Sequence, residues 1–370
     1  SGFFVRPLGA VVFGYIGDQL GRRLALAIGI LTMAIPTAGI GLLPSYETIG
    51  IAAPIILVII RLIQGFSLGG EFSGCIAYIV ESSGKGTRGV AGSAAFISMC
   101  LGMLFGTLTA ALCRNVMEEE FLVSFGWRIP FVLGLLIGLV GLYIRLHLKE
   151  SPVYQEAKAN GNLSRAPLRE LLRKNTKDLF VGMGIYLTVT VPFYIVTVYV
   201  DSYFKEIGFD AVIANMANTA TLVFMIIALP LSAYLSDKIG RKPVMVAGCL
   251  LFAFFTYPLL WLTNNTHDPF IAIFAAAALA AIAGFFMGPV PTVLVEIFPT
   301  KVRFTGIALS YNMSAAIFGG TAPMVSILLM KSFGDKLAIA YYIGVFAAIT
   351  LVTLMFYKET YRVSLNDESN

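Results

Sequence analysis

Eleven apolar runs follow one another along this chain, at about 3–17, 24–43, 51–80, 89–112, 127–147, 179–200, 211–235, 243–263, 269–297, 304–330 and 337–356. A helix needs roughly 20 apolar residues to cross about 30 Å of hydrocarbon, and most of these runs supply that length. Runs of this kind leave few folds open. In lipid every backbone N–H and C=O must be satisfied within a helix or a closed barrel, and the alternating pattern of barrel strands is absent. The 370 residues are 58% hydrophobic and 13% charged, which cannot furnish the surface of a soluble protein of this size. The expected fold is an all-α polytopic membrane protein.

The loops between the runs repeat. Gly14–Arg23 reads GYIGDQLGRR and Ala233–Lys242 reads AYLSDKIGRK, each between two apolar runs. Asp18 aligns with Asp237, Gly21 with Gly240, Arg22 with Arg241 and Arg23 with Lys242, at an offset of 219. A second corner follows in each copy. Glu81 precedes Arg88 by seven residues and Glu296 precedes Arg303 by seven, at an offset of 215. Two ordered copies of two charged corners imply a duplicated protein of two pseudo-symmetric helix bundles. One long polar interruption, Lys149–Asp178, leaves five runs before it and six after. With Pro152, Gly161 and Pro167 it reads as a linker holding short amphipathic helices. The expected parts are a first bundle at 1–148, a linker at 149–178, a second bundle at 179–356 and a tail at 357–370.

Charge placement sets the orientation. Arg22, Arg23, Lys85, Arg88, the seven Lys and Arg from Lys149 to Lys177, Lys238, Arg241, Lys242, Lys301 and Arg303 fall in loops of one side. The other side holds Arg114, Lys205, Lys331 and Lys336. The basic side is therefore expected to be cytoplasmic, with the linker and tail, in an inner (plasma) membrane. The net charge of +5 is then a topology signal, and no nucleic-acid partner is expected. This topology brings the first run in from outside, with an apolar part, Gly2–Ile16, only about 22 Å long as a helix. The chain also opens with Ser1, so a whole helix and the start of the next are expected to be missing; restoring them gives six spans plus six.

Several chemistries are disfavoured. Cys75, Cys100, Cys113 and Cys249 lie in or beside apolar runs without metal-ligand spacing and read as small buried hydrophobes. His147 and His267 lie near run ends without partner ligands. No nucleophile elbow, phosphate-binding glycine loop or zinc motif stands in a usable context, which argues against an enzyme and an ATP-driven pump. No catalytic residue, metal or cofactor is expected, and the chain reads as a monomer in the bilayer.

The charged corners suggest a latch. Asp18 ends its helix, where the last carbonyls disfavour a carboxylate, so it needs a cation or the positive start of another helix. The expectation is that Asp18 caps the helix starting near Thr305 and Asp237 the one starting near Val90. Arg22, Arg23, Glu81, Arg88, Arg241, Lys242, Glu296 and Arg303 complete a cytoplasmic gate. Inside the runs ionisable groups are costly, so Arg6, Arg61, Glu71 and Arg128 are functional candidates. Gln64 and Glu71, seven apart, share a helix face, with Arg61 one turn before Gln64. Gly65, Gly69, Gly70 and Gly74 permit close packing beside them. Counting from the corners puts Arg6 about 18 Å from Asp18 and Glu71 about 15 Å from Glu81, which suggests an Arg6–Glu71 pair. A buried carboxylate that alternates between paired and protonated forms is what proton coupling requires, and Glu71 is the leading candidate. Tyr311 and Asn312 are the better substrate candidates among the polar groups of the second half, which include Tyr186, Tyr194 and Tyr199. Pro192, Pro289 and Pro291 read as hinges, and Gly102/Gly106, Gly134/Gly138 and Gly284/Gly288 as helix contacts.

The repeated loop resembles the signature between the second and third helices of major facilitator superfamily transporters; Gln19 departs where that family usually has a basic residue, and Lys238 restores it in the second copy. Within that superfamily, RPLGAVVFGYIGDQLGRR (Arg6–Arg23), RLIQGFSLGGEFSG (Arg61–Gly74), GWRIPF (Gly126–Phe131), LSDKIGRKP (Leu235–Pro243) and EIFPTKVRFTG (Glu296–Gly306) resemble the metabolite:proton symporter family, and most of all its proline/betaine transporters. The resemblance implies two six-helix bundles that move a small zwitterion or organic acid with protons, driven by the proton gradient. It implies coupling or binding roles for Arg6, Arg61, Glu71 and Arg128. Other family substrates, 2-oxoglutarate, citrate or shikimate, also carry a carboxylate, and a nontransporting receptor on the same fold is the reading from another class.

Overall fold

A computed structural model describes residues 2–365. The apolar runs are helices, and their ends reach into the charged corners. They are α1 (Gly2–Gln19), α2 (Arg22–Leu42), α3 (Ala52–Glu81), α4 (Arg88–Val116) and α5 (Ile129–His147). The linker forms two short helices, α6 (Pro152–Ala159) and α7 (Pro167–Lys174). Six long segments follow: α8 (Thr176–Glu206), α9 (Ala211–Ile239), α10 (Arg241–Asn265), α11 (Pro269–Ile297), α12 (Arg303–Phe333) and α13 (Ala338–Phe356). Among the described residues, ten of these segments are long and apolar enough to cross a membrane, with α1 the shorter eleventh.

The chain forms two compact units. Unit 1 gathers Ser1–Ser82, Gly102–Asn175 and Pro299–Asn312, and unit 2 gathers Ser83–Leu101, Thr176–Phe298 and Met313–Asn370. Two helices are thus divided between units. The start of α12 belongs to unit 1, and the start of α4 belongs to unit 2.

In unit 1, α1 lies on a glycine face of α3. A Cβ on Gly69 would sit 2.5 Å from the Arg6 carbonyl oxygen and 2.6 Å from the Ala10 amide nitrogen, so only glycine allows this approach. The adjoining side of α3 meets α2 through polar groups. Thr32 Oγ1 donates to Ser67 Oγ (2.8 Å), and Ser67 Oγ donates to the Gly29 carbonyl (2.8 Å). Helix α5 packs on α2, with Gly138 against Ala34. In unit 2, α8 is the most buried span; Thr188 Oγ1 donates to Thr350 Oγ1 of α13 at 2.7 Å. Gly284 of α11 lies against the Met225 carbonyl of α9, where a Cβ would come within 2.8 Å.

Glycine spacing succeeds at two of the three expected contacts. Gly134/Gly138 and Gly284/Gly288 do meet neighbours, but Cβ atoms on Gly102 and Gly106 would find nothing within 4 Å. The prolines act more locally than expected. The α-helical ladder of α8 widens to a π turn at Ile195–Tyr199, three residues after Pro192, and α11 breaks its ladder at Gly288–Pro289. A matching π turn interrupts α12 at Ala315–Gly319.

The glycine seam predicts a sharp contrast. Gly69→Val forces α1 from α3 and should cost about 1–3 kcal/mol, seen as a lower thermal unfolding midpoint in detergent. Gly102→Val should leave the midpoint unchanged. Equal effects of the two would contradict the packing.

Candidate functional site: two buried charged corners and a carboxylate–arginine pair

The loop between α1 and α2 turns at Gly21, whose φ of 116° lies in the range that favours glycine. Arg22 follows at once and is fully buried, as is Asp18 one helical turn before it. Arg22 Nη1 meets Asp18 Oδ1 at 2.9 Å. Its Nε and Nη2 form a fork on Glu81, at 3.3 and 3.2 Å. Arg303 Nη1 reaches the same Glu81 oxygen at 2.9 Å, so one carboxylate holds two guanidiniums. Ser151 Oγ donates to the other Glu81 oxygen at 2.6 Å.

Asp18 then faces the start of α12. Its oxygens accept from Phe304 N (3.0 Å), Thr305 N (2.9 Å) and Thr305 Oγ1 (2.7 Å). These are the first amides of a helix, which lack intrahelical partners, so a carboxylate there satisfies them and meets the positive end of the dipole. The cap expected near Thr305 is therefore present. It comes from 285 residues away along the chain from Arg303, and all its atoms lie in unit 1.

Unit 2 repeats the arrangement. Gly240 has φ 105°. Arg241 Nη1 meets Asp237 Oδ1 at 2.6 Å, and its Nε and Nη2 each lie 3.3 Å from Glu296. Asp237 accepts from Gly89 N (2.9 Å) and Val90 N (3.1 Å), the expected cap on α4. Thr360 Oγ1 donates to Glu296 at 2.8 Å. The copies are unequal. Arg88 lies 3.8 Å from Glu296, against 2.9 Å for Arg303 and Glu81. Val90 stands where Thr305 adds a hydroxyl donor in the other copy.

A third corner escaped the sequence reading. Glu150 accepts from the amides of Arg22 (3.1 Å) and Arg23 (3.2 Å), capping α2, which has no cap from its own Gly21. Glu359 accepts from the amides of Arg241 (3.0 Å) and Lys242 (2.8 Å), capping α10. Arg23 and Lys242 extend their side chains to the carbonyls of Leu146 and Tyr357. The signal was available: Lys149-Glu150-Ser151 and Lys358-Glu359-Thr360 follow the last run of each half at a common offset of 209.

Inside unit 1 the partner of Glu71 is Arg145, where the sequence pointed to Arg6. Arg145 Nη1 donates to Glu71 Oε2 at 3.1 Å, its Nη2 pairs with Oε1, and Nη1 also donates to the Leu26 carbonyl at 2.6 Å. The helix explains the correction. Residues two apart on a helix point about 200° apart. Gly69 is pressed on α1, which carries Arg6, so Glu71 must face α2 and α5. Arg6 is buried with its guanidinium 4.0 Å from the Phe3 ring centre. Arg145 was overlooked because it lies two residues from the end of its run, yet an arginine side chain reaches well inward from there. The pair is partly open, with Glu71 24% and Arg145 18% exposed.

The remaining candidates divide. Arg61 Nη1 donates to Gln64 Oε1 (3.2 Å) and Gln64 Nε2 to Thr37 Oγ1 (2.8 Å), so the face of α3 that carries Glu71 is polar along its length. Arg128 Nη1 donates to the Leu43 carbonyl at 2.8 Å and lies over Trp127, closing the C-terminal end of α2. The Asn312 amide donates to the carbonyls of Gly69 and Ala308, both at 2.7 Å. Its Oδ1 is buried without a partner among the described residues. The Tyr311 ring lies tilted against Phe72, next to Glu71 in the chain, with ring centres 5.0 Å apart. Among the described residues no three His, Cys, Asp or Glu side chains converge as a metal site requires.

Known proteins share this architecture. Residues 1–181 match the family described as Sugar (and other) transporter, and residues 179–370 match the Major Facilitator Superfamily. The chain is 36% identical to the glycine betaine/proline/ectoine/pipecolic acid transporter OusA of Dickeya dadantii, over 97% of this chain and 73% of that one. It is 34% identical to the proline/betaine transporter of Salmonella typhimurium, with the same coverage. Among solved structures, the proton:xylose symporter XylE superposes with a TM-score of 0.79 over 99% of this chain and 86% of its own, at 20% identity. The E. coli fucose:proton symporter FucP does so with 0.72 over 96% and 89%, at 15%. At those identities the likeness concerns the fold.

The unequal corners predict unequal sensitivity. Glu81→Ala removes the carboxylate shared by two buried guanidiniums and should cost about 3–5 kcal/mol. Glu296→Ala should cost less, because Arg88 is the more loosely held cation. Thermal unfolding of the two variants checks the order, and a reversed ranking would contradict the geometry.

Proposed function

The chain belongs to the major facilitator superfamily, and on that footing we propose that it is a proton-coupled symporter of a small carboxylate-bearing osmolyte, of the proline and glycine betaine type. The relatives at 34–36% identity support the substrate class through the solutes in their names. The proton gradient supplies the energy, with no cofactor, and the site of action is the bacterial inner membrane. The basic corners, the linker and the tail face the cytoplasm by the placement of Lys and Arg.

The observation that carries proton coupling is Glu71 within an apolar span, held by a single arginine and partly accessible. A carboxylate so placed has two states. Ionised, it holds Arg145; protonated, it releases that guanidinium, and α3 loses its tie to α5. A proton taken up on one side and given up on the other then changes how the helices of unit 1 grip each other. Arg6, Arg61, Gln64, Tyr311 and Asn312 are proposed to bind the substrate or relay this change. The Asp18 and Asp237 caps are proposed to close the cytoplasmic side, each releasing a helix start when that side opens. Alternating access is the expected mode of action.

Purified protein in proteoliposomes tests this. Labelled proline or betaine should accumulate when an inward proton gradient is imposed and only equilibrate without one. Glu71→Gln should retain substrate exchange but lose proton uptake and gradient-driven accumulation. Asp18→Asn should insert normally and transport slowly, and an unchanged rate would remove the gate. Uptake of 2-oxoglutarate in place of the osmolytes would move the substrate to the organic acids. No uptake of any of the three would favour a receptor.

A further inference from the structure

The linker helix α7 presents two opposite faces. One is pinned to unit 1. Leu171 is fully buried and Pro167 is buried. Glu170 forms an ion pair with Lys301 at 2.9 Å, just before α12, and the Gln19 amide donates to the Ser164 carbonyl, just after Asp18. A hydrogen bond with Ser164, with Lys301 and Lys174 beside it, holds the Glu170 carboxyl below the usual carboxylate range. The other face is basic and open. Arg169 and Arg173, one turn apart, point about 160–200° from Leu171. With Arg165 and Lys174 they line a shallow cavity of about 690 Å³. All four are exposed, and the one acid in the lining, Glu170, is already met by two lysines.

We propose that Arg165, Arg169, Arg173 and Lys174 form a phosphate-binding face that seats the headgroup of an anionic lipid. Guanidiniums suit phosphate because their forked donors match its oxygens. Two features favour a lipid over a soluble phosphate. Only Asn175 separates α7 from the membrane segment α8, so this face adjoins a membrane span along the chain, as juxtamembrane basic segments that bind anionic lipid do. Leu172, beside the arginines, is 51% exposed and suited to the boundary between headgroups and acyl chains. A lipid bound there would press on a helix whose opposite face holds the residues flanking the Asp18 cap. The proposal rests on the topology above only for naming the cytoplasmic leaflet, and its binding test is independent of transport.

The full chain is placed in phosphatidylcholine nanodiscs with rising fractions of phosphatidylglycerol, and amide exchange is followed on peptides covering residues 163–175. Protection should rise with phosphatidylglycerol and weaken with added salt. Arg165→Gln/Arg169→Gln/Arg173→Gln should lower the apparent affinity on the order of a hundredfold. The matching triple Lys variant, which keeps the charge, should retain most of the response and guards against a folding defect. Protection unaffected by phosphatidylglycerol, or equal in the Gln triple, overturns the proposal. Protection by pyrophosphate in phosphatidylcholine discs that matches the phosphatidylglycerol response overturns the lipid source and assigns the face to a soluble anion.

Discussion

Burying a guanidinium costs several kcal/mol unless every donor finds an acceptor and a countercharge stands beside it. Arg22 meets that condition with Asp18, Glu81, and the carbonyls of Gly17 and Thr300, and much else in unit 1 follows. The residue before it must be glycine, since it turns with positive φ and a side chain there would collide with the Glu150 carboxylate. Glu150 must come from the linker because Gly21 offers no cap of its own. Arg303 must arrive beside Glu81, which brings the start of α12 under Asp18. A chain of mutual requirements thus joins α1, α2, α3, the linker and α12 at one end of the unit. Unit 2 meets the same conditions through Arg241.

Duplication does not make the corners equal. In the first, three donors of α12 converge on Asp18 and both arginines lie within 3.3 Å of Glu81. In the second, Asp237 takes two helix amides, and Arg88 also donates to the Val363 carbonyl at 2.8 Å, stretching its tie to Glu296. The difference traces to single residues, Thr305 against Val90 above all. The two-pronged Glu71–Arg145 pair differs from both corners in exposure: its side chains are 24% and 18% exposed, while Asp18, Arg22 and Glu81 are buried.

Much of this was legible in the sequence, for identifiable reasons. Run length and hydropathy place the helices because lipid leaves the backbone no alternative. Both caps were legible because a carboxylate at a helix's negative end is a conflict that only a distant helix start resolves. What failed was orientation about a helix axis. Glu71 and Arg6 are level by residue count, but depth says nothing about azimuth, and Gly69 on the contact side turns Glu71 away from α1. Glu150 and Glu359 were missed because a lone Lys-Glu-Ser or Lys-Glu-Thr in a polar linker or tail looks like solvated charge. Only the repeat, carried one corner further, marks them. The hydrogen bonds of the Asn312 amide to the carbonyls of Gly69 and Ala308 come from a close packing that no periodicity reveals.

The central claim is that one carboxylate in each copy holds a helix start contributed by the other half of the chain. Site-resolved amide exchange on Asp18→Asn and Asp237→Asn tests it most directly. Asp18→Asn should speed exchange at Phe304 and Thr305 and leave Gly89 and Val90 protected, and Asp237→Asn should do the reverse. Equal exchange at both helix starts in both variants, or no change at either, would contradict it.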